Sequence, residues 1–131
     1  MTNPPKIYAA DTGLAGVFSP KGGSDEGRRL ESLVQLELRR RGYELEYLKT
    51  KTGREVDFLA TPLRGEALLV QVTLSMRDEA VREREVRALR EAMPGRTKEG
   101  LIVTLNEDEE IRVPEGVIRV VPAWAWALGI D

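Results

Sequence analysis

The chain contains no cysteine and no histidine. The first absence excludes disulfide frameworks, thiolate zinc sites and cysteine nucleophiles. The second removes Ser-His-Asp triads, histidine general bases and histidine metal ligands. Any active site must therefore be built from carboxylates, lysines, hydroxyls and backbone groups. Long apolar runs are missing too: none approaches the roughly 20 residues that span a bilayer. The segment Met1 to Lys6 is short and polar, with no signal-peptide pattern, so the expectation is a cytoplasmic protein without a membrane partner. Charge of one sign is not in excess. Lys plus Arg is 20 and Asp plus Glu is 22, a net charge of −2. That argues against a uniformly basic nucleic-acid coat and leaves room for a local basic groove. No internal repeat or low-complexity tract stands out.

What is present describes one globular domain. The length, 131 residues, suits one domain and not two of ordinary size. Hydrophobic residues make up 41% and charged residues 32%. A chain of this size buries about 65–70% of its unfolded surface, so it needs no covalent staple. Arg outnumbers Lys and Glu outnumbers Asp, a composition that leans towards a thermophile.

Residues 1–27 read as an N-terminal arm and linker, and 28–131 as the folded domain. Lys6-Ile7-Tyr8 and Asp11-Thr12-Gly13 form the arm. Gly22-Gly23 breaks structure, and Ser24 or Asp25 is placed to cap the helix that follows. That helix runs from Arg28 to Arg41, with Leu30, Leu33, Val34 and Leu38 as its apolar stripe and Gly42 as its stop. Strands follow over Tyr43 to Lys49, Arg54 to Thr61 and Glu66 to Leu74. A second helix covers Asp78 to Met93, with Val81, Val86, Leu89 and Met93 facing inward and Glu83 and Arg87 spaced for an ion pair. A buried strand (Gly100 to Leu105) is next. Glu110 to Val113 and Val117 to Val121 form a closing hairpin or two edge strands, and Pro122 to Leu128 a terminal helix. The helix between the third and fourth strands implies a crossover and some parallel pairing. The expected fold is an α/β mixed sheet with helices on both faces.

Asp57 lies in the second strand. Strict alternation puts it on one face with Glu55 and Leu59, opposite Val56 and Phe58. In the third strand Leu69, Gln71 and Thr73 share a face. Burying Gln71 and Thr73 in a central strand is costly unless they are paired, and Asp57 next door is a candidate partner. Glu31 sits at the margin of the first helix's stripe and can point towards the sheet. Glu37 pairs naturally with Arg41 four residues on.

At these residues the chain resembles a known pattern. A helix with Glu, a strand with Asp and a strand with x-Val-x is the order of restriction-endonuclease-like, PD-(D/E)xK nucleases. It is closest to the nuclease-like C-terminal domain of archaeal and bacterial AAA-type ATPases. The phrases KIYAADTGL, GRRLESLVQLELRRRGYELEYLKTKTGREVDFLA, VREREVRALREAM, KEGLIVTL and VIRVVPAWAWAL carry that likeness. It implies a restriction-endonuclease-like mixed sheet, a helix-strand-strand-strand-helix-strand core with a C-terminal β extension and short helix. It also implies an ATPase domain as partner, in cis or in trans, since no GxxxxGK[ST] loop is present here. In the superfamily the corresponding acids hold Mg²⁺ and the lysine positions the attacking water. Carried over, the positions are Glu31, Asp57, Gln71 and Thr73, with Glu31 and Asp57 as the metal-binding pair.

Gln71 and Thr73 stand where the pattern has an acid and a lysine. Mg²⁺ favours hard, charged oxygens, and Gln71 offers a neutral amide. Losing one stabilising group typically costs about 10²–10³-fold in rate. The expectation is therefore a degenerate, non-catalytic or weakly catalytic domain acting as a nucleic-acid or protein binding and assembly module. A second reading is an active Mg²⁺-dependent DNA endonuclease with a displaced lysine, Lys49 or Lys51. The bland alternative for both lysines is a solvated turn. A third reading is a pure interaction domain, a homodimer through an edge strand or through the segment holding Trp124 and Trp126. Glu31 and Asp57 are either a relic polar core or a weak divalent-ion site. Arg28, Arg39, Arg40 and Arg54 are candidate phosphate contacts, with a solvated surface as the alternative. The stretch Asn106 to Glu110 reads as a solvated turn.

Overall fold

The computed structural model describes residues 24–130. The expected arm at Lys6 to Gly13 lies outside the described residues. The elements are α1 (Asp25–Arg40), β1 (Glu44–Lys49), β2 (Glu55–Thr61), β3 (Leu68–Val72), α2 (Glu79–Ala92), β4 (Glu99–Thr104), β5 (Glu109–Val113), β6 (Gly116–Pro122) and α3 (Ala123–Leu128). They form a mixed α/β domain around one six-stranded sheet of order β1-β2-β3-β4-β6-β5. The β1, β2 and β3 pairings are antiparallel, β3–β4 and β4–β6 are parallel, and β5 closes on β6 as an antiparallel hairpin. Between the two expectations for the last strands, the hairpin is what forms, and β6 is an interior strand rather than an edge.

Helix boundaries follow local chemistry. Ser24 caps α1 by accepting from the Gly27 N–H at 3.1 Å. The helix therefore begins three residues before the expected Arg28. It ends in paired bonds, Tyr43 N–H to Leu38 C=O and Gly42 N–H to Arg39 C=O, with Gly42 at φ 93°. That 6→1 and 5→2 pattern places Gly42 where a side chain is disfavoured. Asp78 caps α2 by accepting from the Ala80 and Val81 N–H groups.

Each face of the sheet carries its own apolar layer. Leu30, Val34 and Leu38 of α1 and Ala123 and Trp126 of α3 pack with Leu45, Tyr47, Phe58, Ala60, Val70, Val72, Leu101, Val103 and Val121. Ala88, Leu89 and Ala92 of α2 pack on the other face with Leu48, Val56, Leu69, Met76, Ile102, Ile118 and Val120. Two stripe assignments need correction. Leu33 is 46% exposed, because the buried stripe of α1 runs through Leu30, Glu31, Val34, Gln35 and Leu38. In α2, Val81 and Val86 are half-buried, and the inward face is Glu85, Ala88, Leu89 and Ala92. The helix is rotated because Gly100 gives Leu89 room: a Cβ there would lie 3.2 Å from Leu89 Cδ1.

The strict alternation expected around Asp57 fails. Glu46 pairs with Leu59, but Leu48 pairs with Val56, so two residues of β2, Asp57 and Phe58, oppose Tyr47 alone. This is a β-bulge. It moves Leu59 to the α2 face with Val56 and turns Phe58 to the α1 face with Ala60.

A candidate functional site

The bulge lies where β2 and β3 part. Their ladder runs Ala60–Leu68, Leu59–Leu69 and Phe58–Val70 and goes no further. Beyond it, side chains continue the bonding. The Asp57 N–H donates to Gln71 Oε1 at 2.9 Å, and Gln71 Nε2 donates to the Glu55 carbonyl at 3.1 Å. The Val72 N–H donates to Asp57 Oδ2 at 2.8 Å. Asp57 and Gln71 are both fully buried. A buried peptide group left without a partner is costly, so this seam supplies what the interrupted ladder cannot.

Asp57 and Gln71 are thus brought together, but not as expected. Gln71 meets the backbone of residue 57 rather than its carboxylate, and the carboxylate serves the backbone of Val72. Gln71 also reaches the Glu85 carbonyl of α2 at 3.5 Å. Tyr47 lies beside the seam. Burial, a hydrogen bond with Glu55 and the charges of Glu55 and Asp57 hold its hydroxyl well above the usual phenol range. Glu31 is 4% exposed on α1, which lies over β1 and β3 on the same face as Tyr47.

Thr73 stands apart. It is half-buried, one residue beyond β3, and its hydroxyl donates to the Ser75 carbonyl at 3.4 Å. Lys49 and Lys51 are exposed and line a cleft against the C-terminal end of α2, whereas Asp57 has no exposure. Arg28 pairs with Asp25, and Arg40 is held by both oxygens of Glu37, at 3.0 and 2.6 Å. Arg54 pairs with Glu91. Arg39 is half-buried in the last turn of α1. The expected Glu37–Arg41 pair forms at 2.7 Å, and Arg41 also stacks 4.5 Å over the Trp126 ring.

Two acidic residues take roles the sequence reading missed. Glu85 is completely buried and meets Arg84 at 3.2 Å. Its signal was its place in the stripe 81, 85, 88, 89, 92. Glu107 falls in the stretch that the sequence pattern reads as a solvated turn. Instead its carboxylate accepts from Ser75 Oγ at 2.6 Å and from the Met76 N–H at 2.8 Å, fixing the loop after β3. The same stretch supplies Glu109, which Arg82 grips from α2.

At the seam the Gln71 side chain is committed to the backbone. The Gln71 amide oxygen is aimed at a peptide N–H and its nitrogen at a peptide carbonyl. Among the described residues no three carboxylates gather as a metal-holding group.

Fold and seam together define a mixed α/β domain with a polar core stitched between two diverging strands. The chain belongs to the family described as Domain of unknown function (DUF4143), which residues 26–126 match. It is 38% identical over 134 residues to the uncharacterized protein MJ1544 of Methanocaldococcus jannaschii, covering 94% of this chain. The chain spans 29% of that relative's length. No solved structure matches it. Among the described residues, no helix is long and apolar enough to cross a membrane.

Proposed function

We propose that the chain is a catalytically silent, nuclease-like domain that serves as an assembly module beside an AAA-type ATPase domain. The order α1-β1-β2-β3-α2-β4, with its polar seam where β2 and β3 part, supports a restriction-endonuclease-like reading of the fold. The greater length of the archaeal relative supports a domain that works within a longer protein.

The observation that carries this reading is the Gln71 amide. It accepts from one strand's N–H and donates to that strand's carbonyl, which an ionised carboxylate could not do. A carboxylate at 71 would face the Glu55 carbonyl with no proton to give. The position has become a structural stitch, with no positive charge from Thr73 to assist phosphodiester chemistry. The pairing of Arg28, Arg40 and Arg54 with acids favours a protein partner over a phosphate backbone.

The test is an incubation of purified chain with duplex, branched and single-stranded DNA, with Mg²⁺ or Mn²⁺. No cutting above buffer is expected. Cutting that disappears in Asp57→Ala overturns the proposal. A parallel DNA titration should show weak binding with a shallow salt slope. A steep slope would make the domain a nucleic-acid binder instead.

A further inference from the structure

Among the described residues most arginines sit in ion pairs with acids of this chain, so a cleft lined by cations outside such pairs is informative. The cleft between the β1–β2 turn and the end of α2 is lined by Lys49, Lys51 and Arg96. Among the described residues none of these has a carboxylate within 4.0 Å. The Arg96 guanidinium donates to a helix-end carbonyl, that of Ala92, at 3.0 Å.

The acid in the cleft is Glu91, and it is already engaged. The hydroxyls of Thr50 and Thr52 donate to its Oε1 at 2.8 and 2.5 Å, and Arg54 Nε donates to its Oε2 at 3.2 Å. Those bonds, Thr52's first, hold its carboxyl below the usual range, so it stays ionised and fixes the turn to α2. It is an anchor for the wall rather than a counter-ion for the lysines. The floor is apolar: Leu48, Ala92 and Pro94. The volume is about 600 Å³, within the range of small-molecule sites, about 300–1,000 Å³.

We propose that this cleft binds a small phosphate-bearing ligand of the nucleotide class. Lys49, Lys51 and Arg96 take the phosphate, and the flat organic body lies on Leu48, Ala92 and Pro94. A bounded cleft with cations on its rim and an apolar floor suits a compact anion with a ring better than a continuous polymer backbone. The site is separate from the Asp57–Gln71 seam, so the inference stands whether or not the chain is catalytically silent.

The experiment is isothermal titration of the full chain with AMP, ADP, pyrophosphate and inorganic phosphate at two ionic strengths, with sodium chloride as control. Saturable binding of AMP or ADP, tighter than inorganic phosphate and weakened by salt, is expected. Lys51→Gln and Arg96→Gln should each weaken it at least about tenfold, the scale of one charge-assisted contact. Arg87→Gln, on the exposed Glu83 pair, should leave it unchanged. Both glutamine variants change exposed side chains, and circular dichroism confirms their fold. No binding above the chloride control overturns the proposal, as does equal weakening by Arg87→Gln. So does a result in which duplex DNA binds, loses affinity in Lys51→Gln, and AMP and ADP do not bind.

Discussion

Gln71 shows how one side chain replaces backbone bonding. Gln71→Leu keeps the volume and strands the Asp57 N–H and the Glu55 C=O in the interior. It should cost about 2–4 kcal/mol in urea unfolding. Gln71→Glu should cost a similar amount at neutral pH and recover in part on acidification, since the protonated acid regains a donor. Asp57→Asn should cost less than Asp57→Ala, because an amide oxygen still accepts from Val72 N–H. Equal losses would mean that bond contributes little. Gly116 is fixed for a different reason: a Cβ there would lie 2.0 Å from the Lys98 carbonyl oxygen. Gly116→Ala should destabilise by at least about 2 kcal/mol by the same measurement. Neither role was legible from residue type alone. The sequence marked Asp57 and Gln71 as buried polar groups needing partners, but which atoms pair depends on a bulge that no periodicity shows.

At the scale of elements, ion pairs tie helix ends and turns to the sheet. Hydrogen bonds from Arg40 and then Arg41 hold Glu37 at about 2, against an ordinary 4.5, opposed by its partial burial. Glu91, Glu109 and Glu115 are lowered as well, chiefly by Thr52, Arg82 and Arg90. A lowered carboxylate binds protons more weakly in the folded state than in the unfolded one. Its contribution is present above about pH 4.5 and is lost as pH falls towards 2. Stability should therefore drop across that window, and Glu37→Gln should flatten part of the drop in thermal melts at stepped pH. An unchanged slope in Glu37→Gln would remove this carboxylate from the explanation. The boundaries of α1 and α2 were close to the sequence reading, because caps and stop residues act locally. Their inward faces were less so. Leu33 turns out and Glu85 turns in, since the sheet each helix meets, and the space over Gly100, set the rotation.

For the whole molecule, two sandwiched layers decide which residues matter. Trp126 is 4% exposed beneath Arg41 and joins α3 to α1, while Trp124 is 56% exposed and bonds Asn106. Trp126→Ala should cost about 3–5 kcal/mol, and Trp124→Ala less than about 1. Iodide should quench the Trp124 fluorescence and spare that of Trp126. The reverse result would place α3 the other way round. This bears on assembly: Trp126 belongs to the core, so a variant meant to probe association belongs at Trp124.

The sequence by itself determined the chemistry on offer, the element order and the helix stops, since these follow from residue types and near neighbours. Thiol and imidazole chemistry were closed from the outset, and Gly42 announced the end of α1. Tertiary structure alone decided that Gln71 stitches two strands, that Glu107 braces a distant loop, and that Lys49, Lys51 and Arg96 share a cleft. Each of those depends on groups far apart in the chain meeting within hydrogen-bond or ligand reach. Such distances are set by sheet register and packing, which no local pattern of residues encodes.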